Sequence, residues 1–224
     1  MKDNLSSYTS NDYDKRINTV LPFYSQFHNQ ILDLVDCIDL QKISWLDTGC
    51  GTGNLAVKIM EKFNNVKLTL CDPSQAMLDK AKEKLNFYEN ISFNNLPSQK
   101  FEYNNEFDIV TAVQAHHYLN KDERTTATKK CFNALKSGGL FITFENIKHS
   151  TEVSDNYGVK RWKKYLKSNG KSDEEVRSHM ARRGTEVLPI TIEEHLSLLK
   201  ECGFKSADIL WTSYMQAGFF AIKE

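Results

Sequence analysis

A ten-residue segment, Trp45–Asn54, constrains the fold of this chain more than any other. An apolar run ends in an acid, glycine follows at every second position, and a segment with apolar residues at helical spacing comes next. That order predicts a strand, a tight glycine turn and a helix. Such a turn leaves backbone N–H groups and a helix N-terminus free to contact a ligand.

The spacing of the glycines separates two classes of ligand. Dinucleotide-binding turns have the pattern G-x-G-x-x-G, whereas Gly49, Gly51 and Gly53 have the pattern G-x-G-x-G behind Asp47. An acid just before the turn favours a positively charged ligand group, such as an amino group, and would repel a pyrophosphate. The turn therefore argues against a dinucleotide-dependent dehydrogenase.

The rest of the chain alternates strand patterns with helix patterns. Helices are predicted at about 31–38, 54–63, after Pro73-Ser74, at 122–135 with a stop at Ser137-Gly138-Gly139, and from Thr191. Strands are predicted at about 44–47, 67–72, 91–94, 107–113, 140–144, 207–212 and 217–222. This alternation indicates an α/β fold in which a doubly wound, mostly parallel, seven-stranded sheet carries helices on both faces.

Two interruptions refine this fold. The last two strands are too close in sequence for a crossover helix, so they should form a C-terminal antiparallel hairpin. Residues 148–188 are mostly helical and strongly charged, and they break the alternation as an insertion. We therefore expect a single domain over 1–224, with an N-terminal helical leader at 1–40 and a helical lid insertion at 148–188.

Polar residues follow several of the predicted strands. Ligands of open α/β sheets bind outside the carboxyl ends of the strands. The first strand ends at Asp47 and the glycine turn, and the second ends at Asp72, whose carboxylate could accept hydrogen bonds from ribose hydroxyls. The fourth strand ends at Gln114, just before His116-His117-Tyr118.

The glycine turn, its acid, Asp72 and the predicted sheet together resemble the class I S-adenosylmethionine (SAM) dependent methyltransferases. The resemblance implies a Rossmann-like fold, SAM as cofactor with S-adenosylhomocysteine (SAH) as product, and an acceptor that is a small molecule. Met77 would pack on the adenine, although its spacing also suits plain core. Backbone contacts or the Asn95 amide could take the place of the acid that this family usually offers to the adenine. The implied cofactor-binding residues are Asp47, Gly49, Gly51, Gly53, Asp72, Pro73, Met77, Asn95 and Gln114.

Candidate catalytic residues come from two places. His116-His117-Tyr118-Leu119 resembles the His-His-Leu or His-His-Phe run of many small-molecule methyltransferases. Adjacent strand residues point to opposite sides, so one of the two histidines should face the ligand crevice and could orient an acceptor or take a proton. A hydrogen-bonded structural histidine is the alternative. Tyr13, in the leader, is the third candidate.

The leader and the insertion are expected to cover the site. Related enzymes fold a leader rich in Tyr and Asp over the cofactor, which would bring Arg16 and Tyr24 to the substrate pocket. In the insertion, Trp162, Tyr165 and Leu166 share one apolar helix face among many basic residues. A lid that places Trp162 over the substrate explains this face; a surface for nucleic acid or for an anionic substrate is the alternative.

The C-terminal third has a closer resemblance, to the carboxy-SAM synthases, which carboxylate SAM for tRNA wobble-uridine modification. Thr191–His195, Cys202–Phe204 and Ala217–Lys223 follow their pattern in order. That family places an arginine three residues after the matching histidine, to bind the extra carboxylate; here the position is Leu198. The sequence thus favours a methyltransferase, with a carboxy-SAM synthase or a SAM-binding module without catalysis as alternatives.

Composition limits the remaining choices. Acidic and basic residues balance at 29 each, so net charge gives no argument for a nucleic-acid partner. No apolar run reaches the roughly 20 residues that span a bilayer, and Met1–Asp14 is too polar for a signal peptide. Five scattered cysteines and no metal-ligand spacing indicate reduced thiols in a cytoplasmic protein without a metal. Oligomeric state stays open.

Overall fold

A computed structural model describes residues 3–224, so Met1 and Lys2, the first two residues of the expected leader, lie outside the described part. Seven strands form one sheet in the order β3-β2-β1-β4-β5-β7-β6. Their bounds are β1 Ile43–Thr48, β2 Val66–Cys71, β3 Ile91–Asn94, β4 Phe107–Val113, β5 Leu135–Asn146, β6 Ser206–Ser213 and β7 Gln216–Ile222.

The pairing of these strands confirms the predicted fold class. β1 to β5 pair in parallel, while β7 runs antiparallel to both β5 and β6. The order reverses between β1 and β4, where the chain crosses from one half of the sheet to the other. In doubly wound sheets this reversal opens a crevice at the carboxyl ends of the strands, which is where ligands bind.

Eight α-helices flank the sheet within residues 3–224, and a short 3-10 turn follows β4 at His116–Tyr118. No helix in that range is both long and apolar enough to cross a membrane. The helices are α1 Tyr13–Val20, α2 Tyr24–Asp36, α3 Asn54–Lys62, α4 Gln75–Leu85, α5 Lys121–Ala134, α6 Glu152–Ser168, α7 Asp173–Ala181 and α8 Ile192–Glu201.

One predicted boundary is wrong. The glycine pair Gly138-Gly139 was expected to end the helix before β5, yet α5 ends at Ala134 and the strand begins directly at Leu135. The pairing register between β4 and β5 shifts there, from Phe107 opposite Leu135 to the next pair five residues later on β5. The glycines therefore lie in a bulge inside the strand, which is the other common use of glycine in a β context.

Apolar side chains pack on both faces of the sheet. On one face, α2 inserts the fully buried Phe27, which stacks on Phe144 of β5 at 5.0 Å between ring centroids. Trp211 of β6 packs edge-on against the Phe27 ring at 5.4 Å between ring centroids. On the other face, α5 and α8 cover a second cluster that contains Phe141, Phe204 and Phe219. The second helix of the leader is thus a structural layer of the domain.

The helices α6 and α7 pack against the leader. The apolar face predicted for α6 is present: Trp162 and Leu166 are buried. The Trp162 indole Nε1–H donates to the Val20 carbonyl at 2.7 Å, and the Tyr165 hydroxyl donates to the Asn18 carbonyl at 2.8 Å. These contacts join α6 to α1, so the two segments form one cover, which we call the lid (α1, α6 and α7).

Replacing Phe27 with alanine tests the role of α2. Truncating a fully buried phenylalanine that contacts three other aromatic rings to alanine should cost about 3–5 kcal/mol in the free energy of unfolding. Urea unfolding followed by circular dichroism measures the change. Phe87, which is 89% exposed, supplies the matched control: Phe87→Ala should change stability by less than about 0.5 kcal/mol. Equal effects at both sites would mean that α2 is not packed on the sheet.

Candidate functional site

A cavity of about 610 Å³ lies at the carboxyl ends of β1, β2 and β4. Its volume is within the range of small-molecule and cofactor sites. Seven of the predicted site residues line it: Tyr13, Gly49, Gly51, Asp72, Pro73, Met77 and Gln114. We call it the cofactor cavity.

Asp72 is the central polar group of this cavity. Its carboxylate accepts the Gly51 N–H through Oδ2 at 2.8 Å and the Ser74 N–H through Oδ1 at 2.8 Å. Burial raises the pKa of Asp72 although these two hydrogen bonds oppose the shift. Each oxygen keeps a further lone pair, so the carboxylate can still accept two hydroxyl donors from a ligand.

The three glycines of the turn serve different purposes. Gly49 has φ +71°, and a Cβ there would lie 2.5 Å from the Cβ of Ala115, so only glycine allows the turn to approach β4 this closely. Gly51 lines the cavity. Gly53 precedes α3 and faces Ala81 of α4, outside the residues that line the cavity. Gly53 therefore packs against α4 in this structure, and its predicted contact with the cofactor stays a prediction.

Asp47 lies behind the turn and does not line the cavity. It is 2% exposed, and the Thr111 hydroxyl donates to its Oδ1 at 2.7 Å. Burial, together with the nearby charge of Asp72, raises the pKa of Asp47 to about 7. A nearby cation would lower the pKa of Asp47, because a positive charge favours the ionised form of an acid.

Asn95, which was predicted to contact the adenine, does not line the cofactor cavity, whereas residues two to four positions later do. Asn95 is exposed, and its amide donates to the Asp72 carbonyl at 2.9 Å, so it holds the loop. The same segment reaches the cavity with Pro97, Ser98 and Gln99. The strand pattern located the segment, but it did not show which of its residues turns inward.

The first described residues of the leader line the cofactor cavity; the sequence predicted that the leader covers the site but did not single out these residues. Asp3, Asn4, Leu5 and Ser6 line it. The Ser74 hydroxyl donates to the Asp3 carbonyl at 2.7 Å, and Arg182 donates from Nη2 to the Leu5 carbonyl at 2.6 Å. These residues carry no motif, and their position depends on backbone contacts with distant parts of the chain.

A smaller cavity of about 40 Å³ lies under the lid, and we call it the lid cavity. Trp162 lines it, as predicted for a substrate pocket, beside His179, Arg182 and Arg183. Burial lowers the pKa of His179 to about 4, so this imidazole is neutral near pH 7. The sequence analysis did not single out any of these last three residues.

Four residues line both cavities: Ser6, Tyr13, Gln114 and Tyr118. Burial and the adjacent Tyr24 and Tyr118 hydroxyls raise the pKa of Tyr13 well above its usual range. Its phenol is therefore protonated at neutral pH and can donate a hydrogen bond, whereas removing its proton would be unfavourable.

Gln114 is fixed by a closed ring of three buried amides. Its Nε2 donates to Gln216 Oε1 at 2.9 Å, Gln216 Nε2 donates to Asn146 Oδ1 at 3.1 Å, and Asn146 Nδ2 donates to Gln114 Oε1 at 3.1 Å. Gln114 also has φ +54°, a conformation that costs energy in a residue other than glycine. The ring holds it at the boundary of the two cavities.

His116 and His117 do not face the crevice. The alternation argument failed because they lie in a 3-10 turn and not in a strand. The His117 Nδ1 is 2.6 Å from Glu145 Oε2, and this carboxylate also accepts both histidine backbone N–H groups. Burial lowers the pKa of His116 to about 4. Both side chains are buried outside the two cavities, an arrangement that fits the structural alternative.

Two expected substrate contacts are also displaced. Arg16 is exposed; it pairs with Glu175 at 3.0 Å and lies over the Tyr8 ring, so it ties α1 to α7 from outside. Tyr24 is buried against Phe27 and outside both cavities. Burial raises its pKa to about 12, and its hydroxyl hydrogen-bonds to Tyr13. Tyr24 thus supports Tyr13 from behind.

Six basic residues of the insertion lie on the outer face of the lid, whereas Arg182 and Arg183 line the lid cavity. A groove of about 620 Å³ between α6 and α7 is lined mostly by cations: Lys160, Arg161, Lys163, Lys164, Lys167 and Arg177. Arg161 stacks on Tyr214 at 3.8 Å, and Lys167 pairs with Asp173 at 2.6 Å. The charge of these six residues is therefore separate from the two cavities, and a nucleic-acid surface stays an alternative for this face.

The chain is similar in sequence to known SAM-dependent enzymes. Residues 46–139 match the family model of a methyltransferase domain. The carboxy-SAM synthase of Nautilia profundicola is 24% identical over 94% of this chain and 90% of its own length. That of Campylobacter lari is 26% identical over 86% and 82%.

Solved structures share the fold. A SAM-dependent methyltransferase from Thermotoga maritima superimposes with a TM-score of 0.61 at 16% identity, covering 96% of this chain and 95% of that one. The CurJ carbon methyltransferase gives 0.62 at 17% identity, covering 86% and 52%. The resemblance to class I SAM-dependent methyltransferases, and in sequence to carboxy-SAM synthases, is thereby confirmed.

Asp47→Asn tests the raised pKa of this acid. From about its ordinary pKa of 3.8 up to about 7, the folded protein holds a proton that the unfolded chain has released. This group's contribution to stability therefore falls as the pH rises. Asparagine has no such proton and can still accept from Thr111. Relative to wild type, the variant should gain on the order of 2 kcal/mol between pH 5 and pH 8.

Urea unfolding of both ligand-free proteins at the two pH values measures this gain. The exposed Asp208 in β6 supplies the control substitution, Asp208→Asn. A stability difference between Asp47→Asn and wild type that is the same at pH 5 and pH 8 would contradict the raised pKa.

Proposed function

We propose that this protein transfers the methyl group of SAM to a small-molecule acceptor held under the lid. The observation that carries the proposal is the adjacency of the two cavities, which share Ser6, Tyr13, Gln114 and Tyr118. A methyl donor in the cofactor cavity and an acceptor in the lid cavity would meet at this boundary. The small size of the lid cavity, about 40 Å³, favours a small acceptor group over a macromolecular one.

The cofactor cavity has the chemistry that SAM requires. The Asp72 carboxylate would accept the ribose hydroxyls, and the 4% exposed Met77 offers an apolar surface to the adenine. Asp47, behind the turn, would favour the ammonium group of the methionine part through its charge. Pro73, Ser98 and Gln99 complete the wall on the adenine side.

The protein's part in the reaction is to place and shield the reactants. SAM supplies a methyl group on a sulfonium, and displacement by an acceptor lone pair leaves a neutral thioether. Orientation can provide much of such a rate enhancement. Tyr13 would donate a hydrogen bond to the acceptor, Gln114 is held rigidly beside it, and the leader and the lid exclude water. Neither His116 nor His117 reaches the boundary, so neither is assigned a proton transfer.

Asp72→Ala tests the cofactor site. Removing a buried carboxylate that accepts both ribose hydroxyls should weaken SAH binding at least about tenfold, because hydrogen bonds to charged groups contribute about 1.5–3 kcal/mol. Isothermal titration with SAH measures the dissociation constant. Asp79 of α4, whose side chain is 57% exposed, gives the matched control Asp79→Ala with unchanged affinity. Unchanged affinity in Asp72→Ala would mean that the site is elsewhere.

A carboxy-SAM synthase activity is the second candidate, because the curated relatives at 24–26% identity carry that name. Leu198, where that family has an arginine, lies in α8 and lines neither the cofactor cavity nor the lid cavity. Because Leu198 is outside both cavities of this chain, the missing charge does not decide between a methyltransferase and a carboxy-SAM synthase.

The nucleoside that co-purifies with the protein separates these candidates. Denaturing the desalted protein should release SAM or SAH, which mass spectrometry then identifies. A nucleoside heavier by one carboxyl group would contradict the methyltransferase proposal and favour the synthase. Transfer of label from methyl-labelled SAM to small molecules of a cell extract then tests for catalysis. Bound SAM without any transfer would favour a SAM-binding module.

A further inference from the structure

The lid cavity contains two arginines and no acidic residue among those that line it. We infer that this cavity receives a negatively charged group of the methyl acceptor, a carboxylate in its simplest form, and that Arg183 binds it. The inference rests on the proposed function, since it names the class of acceptor for the same site.

The guanidinium of Arg183 is held on one side only. Asp155 accepts its Nη2 at 2.8 Å, and the same carboxylate oxygen accepts the His149 N–H at 2.8 Å. Nη1 is buried and has no hydrogen-bond partner among the described residues. A buried donor on a charged group without an acceptor costs several times what an ordinary hydrogen bond contributes. Nη1 is fully shielded in this structure, so the Arg183 side chain, which lines the lid cavity, would have to turn toward it for a ligand oxygen to reach Nη1 and remove this cost.

The second arginine adds charge, but each of its three guanidinium nitrogens already has a hydrogen-bond partner. Arg182 donates to the Leu5 carbonyl and the Ser7 hydroxyl, and its Nε donates to Glu186 at 2.9 Å. Its role is to fix the leader over the site, while its positive charge favours an anion nearby. The counter-charges Asp155 and Glu186 are not among the residues that line the cavity.

Size also limits the ligand. A volume of about 40 Å³ accommodates a group of a few atoms, such as a carboxylate, and not a whole aromatic acid. The rest of the acceptor would extend past Tyr13 and Gln114 toward the cofactor cavity, where the methyl donor is expected. A carboxylate can accept two hydrogen bonds from a guanidinium or from a guanidinium and a phenol, and Tyr118 lines the same wall.

A matched pair of small probes tests this inference. Acetate and acetamide have nearly the same shape, and only acetate carries the charge. Saturation-transfer NMR and titration measure their binding to the protein with and without saturating SAH. We expect acetate to bind at least about fivefold more tightly than acetamide, because a charge-assisted hydrogen bond is about twice as strong as a neutral one.

Variants assign the binding to one residue. Arg183→Gln should abolish the preference for acetate, and Arg183→Lys should retain part of it, because lysine keeps the charge but lacks the forked donors. Arg177→Gln, an exposed arginine on α7, is the matched control and should bind acetate as the wild type does.

Each outcome is decisive. Equal binding of acetate and acetamide to the wild type, or an acetate preference that survives Arg183→Gln, overturns the inference whether or not SAH binds. Failure of the wild-type protein to bind SAH would instead contradict the proposed function. Acetate that binds only without SAH, together with a carboxylated nucleoside that co-purifies, would mean that the site binds a carboxylate of the cofactor. That result would overturn the assignment of the site to the methyl acceptor.

Discussion

The carboxylate of Asp72 joins the two loops on which the site depends. One oxygen accepts the N–H of Gly51 in the turn after β1, and the other accepts the N–H of Ser74 at the start of α4. Because a buried carboxylate must be satisfied by donors, this pair of bonds fixes the distance between the glycine turn and the end of β2. The cofactor cavity opens between these two loops, so this one group sets the position of two of its walls.

The second requirement is a cover, and the chain builds it from segments far apart in sequence. Trp162 of α6 donates to the carbonyl of Val20, and Arg182 donates to the carbonyl of Leu5. Backbone carbonyls of the leader accept these two bonds, and the ion pair between Arg16 and Glu175 adds a side-chain contact. The cover closes two cavities at once, which makes the position of the leader part of the chemistry of the site.

The sequence predicted the fold well because the fold is encoded locally. Strand alternation, the glycine turn and the capping residues of α8 depend on neighbours a few positions apart; α8, predicted to start at Thr191, has a capping box formed by Thr191 and Glu194. Asp72 and Met77 were found in the same way, since each follows a strand at a fixed offset. Gly53 packs against α4, and a glycine needed for helix packing has the same sequence pattern as one that contacts a ligand.

The remaining differences arose from tertiary structure. His116 and His117 turned away because Glu145, on the neighbouring strand, captures their backbone N–H groups. Arg183 gave no signal in the sequence, where it is one charge in a basic stretch. Its importance comes from a buried Nη1 without a partner, which only the packing of α7 against the leader reveals.

The most direct test of this account is a crystal structure of the protein with SAH. The ribose hydroxyls should bind the Asp72 carboxylate, the adenine should pack on Met77, and the sulfur should face the boundary formed by Tyr13 and Gln114. A nucleoside whose ribose lies away from Asp72, or whose sulfur points away from the lid cavity, would contradict it.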